Sequence, residues 1–315
     1  MIGAIDIGGT KTMTAVLSDT GNIIESRYFP TTSRDWRKHF QETADTFLDC
    51  AKPYLHEISG VGINVPGMAD SARGLLIYAP HQNWKNIPVA DYFRNALSIS
   101  KIKVENDVNS CAIGEIVFGG GGTDFLWITI STGNGGAIVS NGKLIRGSTH
   151  CAGEFGHLKV EYTNPRICSC GQLGCLESQS SGTAIGQIYR EKLVQDSSLL
   201  AQTKQAEAKD PDFQRDARGL SILAEGGSES AQEIFHTAGR YLGRAISYGV
   251  NIANPRRVYL GGGVAKSLLL LLPGIREELE KNAVPGASEV EIMETKLGYH
   301  AALLGAGALV LQETI

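Results

Sequence analysis

One histidine and three cysteines are spaced in a way that suits a metal ion. The set consists of His157, Cys168, Cys170 and Cys175. One nitrogen and three sulfurs match tetrahedral structural zinc, and a closed shell of four protein ligands leaves no position for a catalytic water. Three ordinary reduced thiols are the alternative. The spacing therefore predicts a Zn²⁺ ion that braces a loop rather than one that activates water.

Two glutamates, Glu154 and Glu177, lie at the ends of this segment. A histidine that binds zinc through one ring nitrogen carries a proton on the other and donates it to a neighbour. We therefore expect the metal to hold Glu154, His157 and Glu177 where they can meet hydroxyl groups of a substrate. Each glutamate taken singly is equally explained as solvated surface charge.

Three glycine-rich loops follow short apolar stretches and could bind phosphates. They are DIGGTK (6–11), STGNGG (131–136) and LGGGVAKS (260–267). Glycines let backbone N–H groups approach an anion, and Thr10 and Lys11 add a hydroxyl and a charge. A tight hairpin explains any one loop equally well. Three together predict a polyphosphate and nucleoside site, with Asp6 placed to hold Mg²⁺. Their spacing matches neither the P-loop nor the dinucleotide fingerprint.

A carboxylate that could act as a base lies in ENDVNSCAIGE (105–115), where Asn106 and Asp107 mark the end of a strand and the start of a helix. Asp107 as an ordinary helix N-cap is the alternative. In a nucleotide site, however, phosphoryl transfer to a hydroxyl needs a carboxylate that orients the nucleophile and accepts its proton. We therefore predict that Asp107 is the catalytic base.

Two polar turns supply further candidates for substrate binding. NVPGMAD (64–70) contains Gly67, and HQNWKN (81–86) contains Asn83, whose amide suits a polyol. The adjacent Trp84 equally fits the core of a domain. Amide and carboxylate side chains pair well with adjacent hydroxyls, so these turns favour an uncharged sugar.

The whole chain limits the class of protein. Its 315 residues suffice for about two domains, and a net charge of -4 gives no reason to expect nucleic acid or an anionic membrane as a partner. The N-terminus lacks the pattern of a signal peptide, and the leucine run 268–272 is too short to span a bilayer. Free or metal-bound thiols then fit better than disulfides, which predicts a cytoplasmic protein.

The elements that position these residues read as an α/β protein with an internal duplication. A strand, a Thr/Gly loop, a second strand, a turn and a third apolar stretch occur near the N-terminus and again over 126–147. We predict a smaller domain over 1–120, completed by a buried helix at 300–315, and a larger domain over 121–299 with the zinc loop. The polar segment 195–218 is expected to be surface structure without chemistry of its own.

The motifs DIGGTK, ENDVNSCAIGE, GEFGH, CSCGQLGCLE and NPRRVYLGGG, in this order, resemble the ROK family of sugar kinases and sugar-responsive repressors. The resemblance covers nearly the whole chain. It implies an actin-like ATPase (RNase H-type) fold whose two α/β domains close over the sugar in an interdomain cleft. It also implies a homodimer or homotetramer. Ser131 and Asn134 depart from the usual second phosphate loop, and LKVEYTN (158–164) lacks the usual turn after the histidine.

The resemblance implies a role for each matched residue. Asp107 matches the base for the sugar hydroxyl. The matched sugar contacts are Asn106, Glu154, His157 and Glu177, and the matched zinc ligands are His157, Cys168, Cys170 and Cys175. The matched phosphate and adenosine contacts are Gly8, Gly9, Thr10, Lys11, Thr132, Gly133, Gly261 and Gly262.

The predicted activity is ATP-dependent phosphorylation of a hexose at its 6-hydroxyl, with ATP, Mg²⁺ and structural Zn²⁺. Glucose is the first candidate, and N-acetylglucosamine, N-acetylmannosamine and β-glucosides are the alternatives. A sugar-sensing repressor is disfavoured because repressors of this family carry a helix-turn-helix before the first phosphate loop, whereas Asp6 stands near the start of this sequence. A non-catalytic sugar-binding protein is a third class.

Overall fold

The computed structural model describes residues 1–312 of the chain. Its contacts divide the chain into two compact units. The first unit combines Met1–Thr123 and Asn141–Ala152 with the chain from Thr295 onward, and the second combines Asp124–Ser140 with Gly153–Glu294. The chain first passes from one unit to the other directly after the GGGGT run (119–123).

Thirteen strands and ten α-helices form the described part of the chain. The strands are β1 (Ile2–Ile7), β2 (Lys11–Leu17), β3 (Ile23–Pro30), β4 (Val61–Val65), β5 (Met68–Asp70), β6 (Leu75–Ala79), β7 (Trp84–Ile87), β8 (Ile102–Asn106), β9 (Phe125–Ile130), β10 (Asn134–Ser140), β11 (Lys143–Ile145), β12 (Arg257–Gly261) and β13 (Glu291–Glu294). The helices are α1 (Trp36–Ala51), α2 (Val89–Leu97), α3 (Asp107–Gly114), α4 (Leu176–Ser180), α5 (Gly182–Lys192), α6 (Ser197–Lys209), α7 (Ala217–Glu225), α8 (Glu229–Ala253), α9 (Leu268–Asn282) and α10 (Ala301–Leu311).

The first unit is built on a five-stranded sheet in the order β3-β2-β1-β4-β8. The pairs β1/β2 and β2/β3 are antiparallel, whereas β1/β4 and β4/β8 are parallel. Phe40 and Phe47 of α1 lie in the buried cluster on one face. Leu303 and Val310 of α10 pack with Ile2 on the other. A mixed sheet with helices on both faces is the arrangement that buried, nearly continuous apolar strands predict.

The helix α10 comes so close to β4 and to α3 that glycine is needed at each contact. A Cβ on Gly62 of β4 would lie 1.7 Å from the carbonyl oxygen of Ala306, and one on Gly305 would lie 2.2 Å from the carbonyl oxygen of Ser110. Eight of the eleven residues of α10 are buried. This agrees with the prediction of a buried C-terminal helix, although the predicted residues 313–315 lie outside the described chain.

The second unit repeats the plan of the first. The strands β10, β9, β12 and β13 are neighbours in that order, with β10/β9 antiparallel and both β9/β12 and β12/β13 parallel. The long helices α8 and α9 cover this sheet with a large buried cluster that includes Leu242 and Leu271. In each unit the first two antiparallel strands are joined by a Thr/Gly loop, so the duplication inferred from the sequence is confirmed.

One segment departs from the predicted domain limits. Residues 141–152 were assigned to the second domain from the sequence, whereas the structure places them in the first unit. Arg146 of this segment forms an ion pair with Glu105, Nε to Oε2 at 2.8 Å, and His150 Nε2 lies 3.8 Å from Asp70 Oδ2. These contacts join residues far apart in sequence, which the local pattern cannot reveal.

Within residues 1–312, no helix is both long enough and apolar enough to cross a membrane.

Candidate active site

The helix α3 presents Asp107 in its first turn, and its N-cap is Asn106. The Asn106 Oδ1 accepts hydrogen bonds from the N–H groups of Val108 at 2.9 Å and Asn109 at 3.0 Å. The alternative reading, in which Asp107 is the cap, is therefore wrong. The first turn of a helix favours a carboxylate because unpaired N–H groups give this end a partial positive charge.

The Asn106 side chain also holds Asp107 and the turn before β5. Its Nδ2 donates to Asp107 Oδ1 and to the carbonyl oxygen of Gly67, each at 2.9 Å. With Oδ1 accepting two backbone N–H groups as well, the amide is saturated by protein partners. The geometry thus makes Asn106 a residue that orients Asp107 and brings Gly67 beside it.

A buried carboxylate, Glu105, supports this turn from behind. Glu105 is 1% exposed, and its Oε1 accepts the Asn106 N–H at 2.9 Å. Its Oε2 accepts from Arg146 Nε at 2.8 Å and from Ser71 Oγ at 2.6 Å. Asn109 Nδ2 adds a fourth hydrogen bond at 3.2 Å. A buried charge with a full set of partners fixes the local backbone, here the residue before Asp107.

Asp6 is the second-last residue of β1 and lies within electrostatic reach of Asp107. Burial and, to a smaller extent, the charge of Asp107 raise the pKa of Asp6 to about 7, against the opposing effects of a hydrogen bond from Asn64 and the charge of Lys11. The Asn64 Nδ2 lies 3.4 Å from Asp6 Oδ1 and donates to the carbonyl oxygen of Ala302 at 2.6 Å. Two interacting carboxylates with hard oxygen donors fit a Mg²⁺ ion, which would relieve their repulsion.

The first Thr/Gly loop is a tight turn between β1 and β2. The Gly8 N–H donates to the carbonyl oxygen of Lys11 at 3.0 Å, and a Cβ on Gly8 would lie 2.7 Å from that oxygen. The Lys11 Nζ stands 4.2 Å from the ring centroid of Tyr299. The loop Gly8, Gly9, Thr10 and Lys11 is therefore assembled as predicted, with an exposed Gly9 and Thr10.

The two polar turns differ in what they contribute. Gly67 has φ +80, and a Cβ there would meet the Tyr78 carbonyl oxygen at 2.3 Å, so only glycine fits. Asn83 is exposed and also adopts a positive φ of 56. Trp84 is 3% exposed and packs edge-on against Phe40, which places it in the core. The reading of Trp84 as a core residue is therefore the correct one.

In the second unit, the four predicted metal ligands come together. The donor atoms of His157, Cys168, Cys170 and Cys175 all lie within 4.8 Å of one another. Ligands about 2.3 Å from zinc at tetrahedral angles stand roughly 3.7 Å apart. Cys168 Sγ lies 3.7 Å from His157 Nδ1, and Cys170 Sγ lies 3.8 Å from Cys175 Sγ. All three thiols are free of disulfides, so the cluster fits a tetrahedral ion.

A raised thiol pKa and a nearby lysine set the charge of this cluster. Burial raises the pKa of the Cys168 thiol to about 12, so a bound metal must displace a proton there. Lys159 Nζ lies 3.0 Å from Cys175 Sγ and offsets the negative charge of bound thiolates. Because Nδ1 of His157 faces the cluster, Nε2 is the ring nitrogen that remains to donate.

The glutamate Glu177 connects the cysteine loop to the second Thr/Gly loop. Its Oε1 accepts from Ser169 Oγ at 2.7 Å, and its Oε2 accepts from the Asn134 N–H at 3.2 Å. A Cβ on Gly133 would lie only 2.4 Å from that Oε2, so this loop and the carboxylate are in direct contact. The solvated-charge reading therefore does not describe Glu177.

Glu154 lies just before the short turn Phe155–His157. Desolvation by surrounding atoms raises its pKa above the ordinary value, His157 opposes the shift, and the charge of Glu177 reinforces it. The other two predicted sugar contacts of this unit, His157 and Glu177, are therefore near enough to Glu154 for their charges to affect its pKa.

The second Thr/Gly loop is anchored by both residues that depart from the usual pattern. Asn134 is buried and its Nδ2 donates to Ser180 Oγ at 2.9 Å. The carbonyl oxygen of Ser131 accepts the Gly182 N–H at 2.7 Å. Thr183 Oγ1 donates to the carbonyl oxygen of Thr132 at 2.7 Å. The Asn134 side chain therefore ties this loop to α4, whereas Ser131 contacts α5 only through its backbone carbonyl.

A cavity of about 910 Å³ opens beside this loop within the second unit. Its walls come from the second Thr/Gly loop, from α5, from α7 and from the turn after β12. Polar and charged lining residues include Thr132, Thr183, Arg190, Asp216, Arg218 and Lys266. Gly263 lines the cavity one residue after the predicted Gly261 and Gly262, which form the strand end and the turn leading to it. The volume suits a nucleotide-sized ligand.

Several of these residues were missed by the sequence reasoning. The segment 195–218 was expected to carry no chemistry, whereas Asp216 and Arg218 near its end line the cavity. Lys266 could have been found, because it follows the glycine loop that ends β12. Arg190 and Arg218 carried no local signal, since each stands on a helix surface in the sequence pattern.

Comparison with known proteins gives the family. The model of the ROK family matches residues 2–313. The chain belongs to the ROK family. It is 30% identical over 316 residues to a glucokinase of Halalkalibacterium halodurans, covering 98% of this chain and 94% of that protein. It is 29% identical over 280 residues to a xylose repressor of Bacillus spizizenii, covering 86% of this chain and 67% of that protein.

Among solved structures, a ROK family glucokinase from Streptomyces griseus in complex with glucose and AMPPNP superimposes with a TM-score of 0.83 at 28% identity. The match covers 99% of both chains. The ROK family chain described here thus has the predicted α/β, actin-like fold, and that prediction is confirmed.

Proposed function

We propose that this ROK family chain is an ATP-dependent hexose kinase that phosphorylates the 6-hydroxyl of glucose. The observation that carries the proposal is the pairing of Asp107, oriented by Asn106, with Asp6 beside the glycine loop. One carboxylate serves the hydroxyl nucleophile and the other serves the metal that accompanies a nucleoside triphosphate. The relatives named as glucokinases support glucose as the acceptor.

In the proposed reaction, Asp107 is the general base. Its carboxylate accepts the proton of the 6-hydroxyl while the sugar oxygen forms a bond to the γ-phosphorus. The bond from that phosphorus to the bridging oxygen breaks, and ADP leaves with the electron pair. Asn106 keeps Asp107 Oδ1 aligned by its 2.9 Å hydrogen bond, and the Glu105 network holds the turn. Mg²⁺, held by Asp6, would neutralise charge on the phosphates.

We assign roles in the same reaction to the remaining predicted residues. Glu154, His157 and Glu177 hold sugar hydroxyls, with His157 Nε2 as a donor. His157, Cys168, Cys170 and Cys175 hold the structural Zn²⁺ that keeps these side chains in place. Gly67 and Asn83 line the sugar, and the two Thr/Gly loops bind phosphates. The cavity of about 910 Å³ receives the nucleoside, and Gly261 and Gly262 form the strand end and turn that lead to Gly263 in its wall.

A regulator without catalysis is the second candidate, and one observation favours it. The xylose repressor of Bacillus spizizenii matches this chain over most of its length at nearly the same identity as the glucokinase. A regulator of this kind would bind sugar without turning over ATP. A measurement of sugar phosphorylation therefore distinguishes the kinase from the regulator.

A sugar panel with ATP and Mg²⁺ tests the proposal. Glucose, N-acetylglucosamine, N-acetylmannosamine, mannose and a β-glucoside are compared by kcat/KM, with Asp107→Asn as the inactive control. The proposal predicts the highest kcat/KM for glucose. A higher kcat/KM for an N-acetylhexosamine would replace glucose as the proposed substrate and leave the proposed kinase activity unchanged. Sugar binding with no turnover of any sugar would support the regulator instead.

A further inference from the structure

Thr31 binds the first Thr/Gly loop at two carbonyl groups. Its backbone N–H donates to the carbonyl oxygen of Thr10 at 2.8 Å, and its Oγ1 donates to the carbonyl oxygen of Gly8 at 3.0 Å. Thr31 comes directly after β3, far from the loop in sequence. The loop conformation therefore depends on a residue outside the glycine motif.

The hydrogen bond to Gly8 has a consequence for the next peptide N–H. All described peptide bonds are trans, and in a planar trans peptide the C=O and the N–H that follows it point in opposite directions. Because Thr31 holds the Gly8 carbonyl on its own side, the Gly9 N–H is directed away from Thr31. Backbone N–H groups fixed in this way are the donors that a phosphate uses.

Two buried residues extend this contact into the core. Thr12 Oγ1 lies 3.1 Å from Thr31 Oγ1 and 2.9 Å from His39 Nε2. The Thr31 hydroxyl has one proton and donates it to the carbonyl oxygen of Gly8, so the Thr12 hydroxyl must donate to Thr31 Oγ1. Thr12 then accepts from His39, which must carry its proton on Nε2. The chain of donors thus runs from His39 through Thr12 and Thr31 to the loop.

The surroundings of His39 do not explain it as a stabilising residue. Its side chain is 0% exposed, with the rings of Phe29 and Trp84 centred 5.5 and 5.6 Å away. Its Nδ1 has no hydrogen-bond partner among the described residues, and burial lowers its pKa, which keeps the ring neutral. A buried acceptor without a partner costs stability, so an apolar residue would serve the core better.

We propose that His39, Thr12 and Thr31 are positioning residues that hold the Gly8–Lys11 loop in its phosphate-binding conformation. The proposal rests on the proposed kinase function, in which this loop binds phosphates of the nucleotide. Nucleotide affinity then depends on a relay that begins at the buried His39, 28 residues after Lys11 in the sequence. None of the three side chains needs to touch the ligand.

The test uses matched substitutions that remove or retain the donors. Thr31→Val removes the hydroxyl at nearly constant shape, and Thr31→Ser retains it. His39→Leu removes the donor, and His39→Gln supplies an amide nitrogen near the position of Nε2. Thr46→Val is the control, because the exposed Thr46 Oγ1 makes a similar bond to a backbone carbonyl, that of Glu42 at 2.7 Å, away from the loop.

The measurements distinguish an effect on nucleotide binding from an effect on sugar binding. We expect Thr31→Val and His39→Leu to raise the KM for ATP and the calorimetric Kd for MgADP about 3- to 10-fold, the loss of one ordinary hydrogen bond. The sugar KM should stay within about 2-fold, and Thr31→Ser, His39→Gln and Thr46→Val should behave like the native chain. The unfolding temperature of His39→Leu should be unchanged or higher.

Two further readouts keep the outcome clear. In ¹⁵N NMR, the His39 ring should show the Nε2–H tautomer, and the opposite tautomer would overturn the relay. Unchanged MgADP affinity in both Thr31→Val and His39→Leu would also overturn it, while native turnover leaves the kinase proposal intact. If the native chain turns over no sugar, the kinase proposal is overturned instead. The relay is then tested only by comparing the MgADP affinity of the variants with that of the native chain.

Discussion

The backbone N–H of Asn134 donates to Glu177 Oε2 at 3.2 Å, which joins the second Thr/Gly loop to the helix that follows the cysteine cluster. The same carboxylate accepts from Ser169 between two of the cysteines. Glu177 is therefore bound by both the cysteine loop and the second Thr/Gly loop. A disturbance of either loop should reach the other through this side chain.

Gly133→Ala should test this contact. The new Cβ would lie 2.4 Å from Glu177 Oε2, so the carboxylate or the loop must shift, at a cost of about 1–3 kcal/mol in the free energy of unfolding. In a Glu177→Ala background the same substitution should cost less, because the clashing oxygen is gone. A double-mutant cycle by chemical denaturation measures this coupling, and additive effects would contradict the contact.

Asp107→Asn should lower kcat by roughly 10²- to 10⁴-fold, because the amide cannot accept the proton of the hydroxyl. The side chain keeps its size, so the Kd for sugar should change little. Asp91→Asn is the control, since Asp91 is an exposed acid in the first turn of another helix, α2. Steady-state kinetics and calorimetry check the two quantities, and a kcat within a few-fold of native would remove Asp107 as the base.

Metal analysis should find about one zinc per chain. Chelation or Cys170→Ser should lower the unfolding temperature, because the loop that carries Cys168 and Cys170 then loses its central ligand contacts. Cys151→Ser is the control, since this thiol lies outside the cluster. A metal-free preparation with native stability would contradict the structural-zinc proposal.

Asp6→Asn should stabilise the ligand-free protein in a pH-dependent way. Asp6 has a folded pKa of about 7 against an ordinary 3.8, so the folded state holds this proton more tightly than the unfolded state. Protonated Asp6 contributes its full stabilisation of the folded state below pH 3.8, and this stabilisation is lost as the pH rises to about 7. The gain from Asp6→Asn should therefore grow over this window and level off at roughly 2–4 kcal/mol.

Denaturation series at several pH values measure this effect, and a gain independent of pH would contradict it. The same substitution should weaken the dependence of activity on Mg²⁺, because the metal favours the carboxylate form that is lost. Asp19→Asn, an exposed acid in the turn after β2, serves as the control.

Arg218→Ala and Lys266→Met should weaken nucleotide binding without changing the sugar KM. Both residues line the cavity of the second unit, where a positive charge attracts phosphates. We expect an increase of about 3- to 10-fold in the Kd for MgADP, which should diminish at high salt. Lys209→Met is the control, because Lys209 is exposed at the end of α6. Unchanged affinity in both variants would place the nucleotide elsewhere.

The sequence by itself determined the features that arise within short stretches of chain. The glycine loops, the strands that enter them and the buried helix α10 follow from local patterns of apolar residues and turn residues. The cluster of His157 and three cysteines was also predictable, because these four candidate ligands lie within nineteen consecutive residues and their donor types suit zinc. The family motifs added the prediction that Asp107 is the base, which no single helix start could indicate.

Only the tertiary structure decided which side chains share an environment. It made Asn106 the cap instead of Asp107, and it placed Trp84 in the core. It also brought Arg218 to the cavity of the second unit and His39 to the relay behind the first loop. Such contacts depend on packing between segments distant in sequence, and a local pattern sets the conformation of a segment but not its partner.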